Sequence, residues 1–370
     1  MLVVRPIRAE DLPAMQTLAE ASRGELTSLP TDPKVLIGRI EESLRAFATR
    51  GERAAGECYT FVMADEHGTL AGTSNIKSKT GGFSPFYSYE LLADRYENKV
   101  LGVNKLVRAL HLVEEHDGPA EIGGLFLAAD RRRSGAGRLL SLARFMFMAQ
   151  RPAAFDARVV AELRGVLDAH GNSPFWDALG RHFFETDFKT ADSLSLVERR
   201  IMADLMPDHP IYIDLLPKAA RFAVGACHGE AVPALRLLWS EGFRYNNRVD
   251  IFDAGPLVQA NLPEIRTVSQ CRHMKLAGVT DAALALPTHL VSNGQTDVRV
   301  VMTGVEFEGE VLKLPAEAAS ALQVEPGMTL HVAPARPSVD TSAVETAAAD
   351  LFAASPPIPT ATKEGPQRGL

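Results

Sequence analysis

Residues 131–138 read Arg-Arg-Arg-Ser-Gly-Ala-Gly-Arg, and 132–137 fit an R-x-x-G-x-G spacing. Glycines let backbone N–H groups approach a ligand closely, a helix start adds the positive end of its dipole, and arginines supply countercharge. Together these suit a diphosphate, with Arg132, Arg133, Gly135, Ala136 and Gly137 as its contacts. Alone, such a pattern is equally a solvated basic turn. Its setting gives it weight: the apolar run 122–127 precedes it, and Leu139, Leu142, Ala143, Met146 and Phe147 follow at helical spacing.

Two further groups carry side chains capable of chemistry. Glu162 and Arg164 stand two apart in the apolar run 159–166, so a strand there would present both on one face, either to a polar substrate or to each other. Cys227 and His228 are adjacent and precede a helical run, which raises a Cys/His nucleophile pair. Neighbouring side chains on an extended backbone point apart, and a buried cysteine usually acts as a small hydrophobe. The histidine then stands alone, as a structural residue or as a proton-transfer group.

The elements that must position these residues follow from periodicity. A strand at 2–7, helices at 9–21 and 33–47, and a hairpin of 59–64 with 70–77 turning at Asp65-Glu66-His67-Gly68 open the chain. Residues 81–87, Gly-Gly-Phe-Ser-Pro-Phe-Tyr, read as an aromatic loop. The strand at 122–127, the glycine loop, its helix and the strand at 159–166 come next, then helical stretches near 175–184 and at 231–241, the latter ending at Gly242. This order predicts an α+β fold with a mixed sheet flanked by helices. From about 265, short strands at 288–292, 298–303 and 329–332 suggest a small all-β subdomain spanning 266–336 behind a main domain of 1–265. The Ala/Ser/Thr/Pro-rich tail, 337–370, reads as disordered.

With 370 residues and 46% hydrophobic content, the chain can bury a substantial core. A net charge of -7 argues against a general nucleic-acid binder. Three cysteines, at 58, 227 and 271, are too few and scattered for a disulfide framework or a thiolate metal site, so no metal is expected and a reducing compartment fits. The first residues lack the apolar core of a signal peptide, and no stretch approaches the ~20 apolar residues of a membrane span. A soluble, cytoplasmic protein without membrane partners is the expectation.

In its strand and helix setting, the glycine loop resembles the acyl-CoA-binding signature of GNAT-type acyl-CoA N-acyltransferases. Longer runs narrow the resemblance: Val160-Ala161-Glu162-Leu163-Arg164-Gly165-Val166, His170-Gly171-Asn172-Ser173-Pro174-Phe175-Trp176, Leu205-Met206-Pro207-Asp208-His209-Pro210-Ile211-Tyr212 and Asp250-Ile251-Phe252-Asp253-Ala254-Gly255-Pro256. Through these, Leu26-Thr27-Ser28-Leu29-Pro30 and others, residues 1–267 resemble the arginine N-succinyltransferase family.

The resemblance implies a GNAT-type fold and transfer of a succinyl group from succinyl-CoA to the α-amine of L-arginine, in arginine catabolism. Leu125 matches the family's succinyl-CoA-binding position, with Leu127 on the same strand, and His228 matches its proton donor to the departing CoA thiolate. Succinyl-CoA enters as a substrate, so no permanently bound cofactor is implied, and a homo- or hetero-oligomer is. Recognition of the acceptor needs a carboxylate for its guanidinium and cations for the carboxylates; Glu162, Asp250 and Asp253 are candidates for the first, Arg164 or Lys77 for the second. The base that deprotonates the amine is not identified. Beyond Thr267 the resemblance is loose. Two alternatives stay open: an N-acyltransferase using ornithine, another amine or another acyl-CoA, and a non-catalytic CoA-binding subunit or sensor.

Overall fold

A computed structural model describes residues 1–22, 29–49, 52–132, 135–195, 205–280 and 287–337. Arg133 and Ser134 of the glycine loop, 26–28 and the tail from 338 lie outside the described residues. Sixteen strands form one mixed sheet among the described residues. In chain order these are β1 Val3–Pro6, β2 Cys58–Ala64, β3 Leu70–Lys77, β4 Gly81–Asn98, β5 Val103–Asp117, β6 Ala120–Leu127, β7 Arg158–Glu162, β8 Ile211–Tyr212, β9 Arg244–Val249 and β10 Pro256–Asn261. The remainder are β11 Arg272–Val279, β12 Thr288–Ser292, β13 Val300–Gly304, β14 Glu306–Glu308, β15 Val311–Leu314 and β16 Thr329–Pro334. Across the sheet the order is β14-β15-β11-β16-β12-β13-β1-β2-β3-β6-β7-β10-β9-β4-β5-β8. Among the described residues only β6 with β7 and β11 with β15 run parallel.

Helices α1 Leu12–Ala21 and α2 Pro33–Thr49 follow β1, and α3 Ala136–Gln150 follows the glycine loop. From Leu139 to Met148 every residue of α3 is buried, as expected of a helix apolar on nearly all sides. Phe147 anchors it, with ring centroids 5.1 to 5.8 Å from those of Phe47, Tyr59, Phe61 and Phe155. Such pairs each add about 0.5–1.5 kcal/mol beyond area burial. A helix locked this firmly makes a rigid platform for whatever its N-terminus and its sheet-facing side hold.

The C-terminal segment has a core of its own around Val291, Val301, Leu312 and Leu330, while Leu290, Val300 and Ala333 complete the core around α3. Its β13 pairs with β1 at Val4 and Val300, so its strands continue the main sheet. Among its described residues it is mostly strand, with the single helical turn Arg266–Ser269 at its start and the helix Ala316–Leu322, where Pro315 precedes a run of good helix formers.

Three sequence expectations change. The 81–87 segment is the irregular start of β4: Gly81 pairs with Asp117, and regular pairing resumes at Phe86 with Glu115. Gly81 has φ +84 and a Cβ there would meet the His116 backbone at 2.4 Å, so a glycine is required inside a strand and disguises it as loop. The polar stretch that follows is the long β4–β5 hairpin, whose exposed half has no apolar face to betray it. The strand at 159–166 stops at Glu162; Leu163 still donates to the Pro256 carbonyl at 3.0 Å, and Gly165 bridges Cys227. The helical stretch near 175–184 is two short helices, Pro174–Ala178 and Gly180–Phe184, broken at Leu179.

Candidate active site

Strands β6 and β7 pair only at Ala120 with Val159 and Glu121 with Val160. Beyond them the two parallel strands separate, so one edge of β6 from Ile122 onward faces a gap instead of a neighbour. On the opposite edge, β6 pairs with β3 through Asn75 with Gly123 and Thr73 with Phe126, a shift that leaves Gly124 and Leu125 opposite Ser74 alone. This is a β-bulge, and it sits where the strands part. Gly124 has φ +59, and a Cβ on it would meet the Asn75 side-chain nitrogen at 2.4 Å. Glycines inside an apolar strand are the sequence signal for such a bulge.

Behind the bulge lies Arg144 of α3, 3% exposed. Its Nη1 donates to the Gly123 carbonyl at 3.2 Å, its Nε to the Ser141 carbonyl at 3.0 Å and its Nη2 to Ser141 Oγ at 2.8 Å. Burial alone pulls its pKa down to about 9, so it stays charged at neutrality. No pattern in the sequence singles it out.

In front of the bulge opens a cavity of about 940 Å³, lined by Gly123 and Gly124, by residues of α2 and by the 250–253 turn. Glu162 and Arg164 both line it, as does the buried Leu163 between them. Lys77, Asp250 and Asp253 line it too. Asp253 is also a staple: it accepts from the Gly165 and Gly255 amides, each at 2.7 Å. Asp250 Oδ1 accepts from the amides of Phe252 at 2.7 Å and Asp253 at 2.8 Å. Burial raises the pKa of both, and the Asp250 charge raises that of Asp253 further.

A third acid at the same wall, Asp192 of the helix Phe188–Ser195, escaped the sequence reading. Burial first, and then the Asp250 charge, push its pKa up to about 7, against the opposing pull of Arg164. Three carboxylates whose ionisation is disfavoured in one wall make a place where a cationic ligand gains from its counterions. In sequence, Asp192 is an ordinary polar residue of a short helix, and only the fold brings it to Asp250.

The diphosphate site expected from the sequence falls at the start of α3. Gly135, with φ +76, caps α3 ahead of Ala136 and Gly137, whose N–H groups belong to the unpaired first turn. Arg132 Nε donates to the Leu127 carbonyl at 3.3 Å, fastening the loop to the strand end. Leu125 and Leu127 are partly buried and pack on the main core. Bulge, Leu125, Leu127 and helix start thus succeed one another along a single strand and its exit.

His228 stands outside the cavity lining, half-buried at the start of a 3-10 turn that leads into the helix Val232–Ser240. Its amide donates to the Arg164 carbonyl at 2.8 Å, and its Nδ1 accepts from the Glu230 amide at 3.2 Å. That bond leaves Nε2 as the nitrogen able to deliver a proton. Cys227 is unsuited to nucleophilic work: burial, with the Asp253 charge, pushes its thiol up to about 12. Among the described residues no helix is long and apolar enough to cross a membrane.

A family model described as arginine N-succinyltransferase beta subunit matches residues 2–267. Proteins named arginine N-succinyltransferase from Escherichia coli strain 55989 and Escherichia fergusonii are each 39% identical over 331 residues, covering 88% of this chain and 96% of theirs. The solved arginine/ornithine succinyltransferase subunit AI from Pseudomonas aeruginosa superposes with a TM-score of 0.82 at 34% identity, over 91% of this chain and 99% of that one. Matched along nearly its whole described length, this chain belongs to the arginine N-succinyltransferase family.

Proposed function

We propose that this protein transfers the succinyl group of succinyl-CoA to the α-amine of L-arginine, with His228 as the proton donor to the leaving thiolate. The observation that carries this reading is the meeting, at the separation of β6 and β7, of an unpaired strand edge with a cavity walled by Asp192, Asp250 and Asp253. The CoA diphosphate lies on Arg132, Gly135, Ala136 and Gly137, with Arg133 from the same loop. The pantetheine arm follows Leu125 and Leu127 back along β6, and the ~10 Å of strand between Leu127 and Gly124 brings the thioester to the bulge.

There the neutral amine attacks the thioester carbon. A C–N bond forms while the carbonyl electron pair moves onto oxygen, facing backbone N–H donors of the bulge. On collapse the C–S bond breaks, its electron pair leaves on sulfur, and the thiolate takes a proton from His228 Nε2. The amine loses one proton to a base, so the net products are the amide and CoA thiol. The guanidinium faces the three aspartates, and Arg164 and Lys77 serve the carboxylates of acceptor and donor, with Glu162 at the rim. Asp253 serves the wall as a staple, because both its oxygens hold backbone amides.

Thiol release measured with succinyl-CoA and acetyl-CoA against arginine, ornithine and lysine tests the reading. The pair succinyl-CoA and arginine should give the highest kcat/KM. Faster turnover with acetyl-CoA, or none with arginine, rejects it.

A further inference from the structure

The charge at Arg144 has no obvious structural use. It is buried in a helix whose other buried side chains, Ser141 apart, are apolar, and among the described residues no carboxylate pairs with it. Desolvating a guanidinium without a counterion costs several kcal/mol, and a Leu or Met of similar volume would pack the same site without that penalty. Two of its three hydrogen bonds run to Ser141, one turn back on its own helix, and fix the fork. The third leaves the helix and ends on the Gly123 carbonyl, at the bulge where β6 and β7 part.

A trans peptide points its C=O and N–H in opposite directions. With the Gly123 carbonyl held toward α3, the N–H of the same peptide, which belongs to Gly124, points to the opposite side. Gly124 lines the cavity, has no cross-strand partner in the β3–β6 register and lies past the last β6–β7 pair. A cation on the carbonyl also polarises the amide, which strengthens its N–H as a donor.

We propose that Arg144 is a positioning residue for acyl transfer: it holds and polarises the Gly123–Gly124 peptide so that the Gly124 N–H is presented to the acyl carbonyl in the cleft. The inference rests on the acyl-transfer reading above. As the amine adds and the carbonyl pair moves onto oxygen, this N–H meets the developing charge, and Arg144 acts through it without touching substrate. Because the fork is already in place before substrate arrives, nothing has to reorganise when the charge forms.

The test compares Arg144→Met and Arg144→Lys with wild type in steady-state kinetics, together with the infrared stretch of a carbonyl-13C succinyl-CoA bound without acceptor. Wild-type turnover tests the acyl-transfer reading; the variants test Arg144. Arg144→Met should lower kcat about 100-fold and leave the KM for succinyl-CoA within about threefold, as losing one oxyanion donor does. Arg144→Lys keeps the charge and loses the fork, so kcat should fall about tenfold, with KM again unchanged. The carbonyl stretch, lowered on binding to wild type, should return toward its solution frequency in both variants. Each variant decides alone, so insolubility of the methionine variant leaves the lysine one to settle the matter. A kcat within twofold of wild type, or a loss carried by KM with an unmoved carbonyl stretch, overturns the proposal.

Discussion

The amide of Gly165 donates to the carboxylate of Asp253 at 2.7 Å. This bond ties the segment that leaves β7, with Glu162 and Arg164 at the cavity, to the turn that carries Asp250. There is no room for a side chain at the junction: a Cβ on Gly165 would meet the Asp253 carbonyl at 2.4 Å, and one on Gly255 the Leu163 carbonyl at 2.0 Å. Asp253→Asn keeps size but replaces one acceptor by a donor, leaving one buried amide without a partner. Such a group costs about 1–3 kcal/mol, which denaturant unfolding should register. The KM for arginine should rise as the wall loosens.

The bulge makes a separate demand. Gly124→Ala places a methyl against Asn75 and puts a side chain at φ +59, where strain is of order 1–3 kcal/mol. The protein should fold with a lowered melting temperature and lose most of its kcat, because the peptide that faces the acyl carbonyl must turn to accommodate the methyl. Thermal melts and turnover on the same preparation check this; full activity would show that the bulge peptide is not at the reacting centre.

His228→Ala removes the proposed acid and one acceptor for the Glu230 amide, an exposed group that water can serve. Loss of general acid help lowers rates by roughly 10²–10⁴. Affinity for CoA, read by calorimetry, should hold, since no part of the 135–137 helix start depends on this residue. Unchanged turnover would remove His228 from the mechanism.

Asp192 links acceptor binding to pH. Its folded pKa is raised to about 7 from 3.8, so between those values the folded, ligand-free protein retains a proton that the unfolded chain has released. The group therefore costs stability progressively as pH rises through that window. A guanidinium beside it favours the carboxylate, so arginine should bind more tightly as pH rises through about 7, with proton uptake by the buffer. Calorimetry in buffers of different ionisation enthalpy measures that release, and Asp192→Asn should reduce it and raise the KM for arginine.

Much of this architecture was legible before folding. The strand, glycine loop and helix at 122–147 declared themselves because an apolar run, glycines and a helical stripe each obey a local rule. Glu162 was readable as a strand residue because the period holds to the end of β7, whereas Arg164 lies beyond that end. The β4–β5 hairpin was not readable, since half of it is exposed and carries no alternation. Asp192 and Arg144 were also silent. Each is an unremarkable polar residue on its own helix, and its meaning comes only from a neighbour distant in sequence, Asp250 for one and Gly123 for the other. Local pattern reports which residues share a face; it does not report what that face meets.

The central claim concerns which bond is made. Incubation with succinyl-CoA and L-arginine, followed by mass spectrometry and NMR of the product, tests it most directly. The account predicts one succinyl group per arginine, joined by an amide at the α-nitrogen with the guanidinium intact. A product acylated on the guanidinium, or an arginine that emerges unmodified while CoA thiol is released, would contradict it.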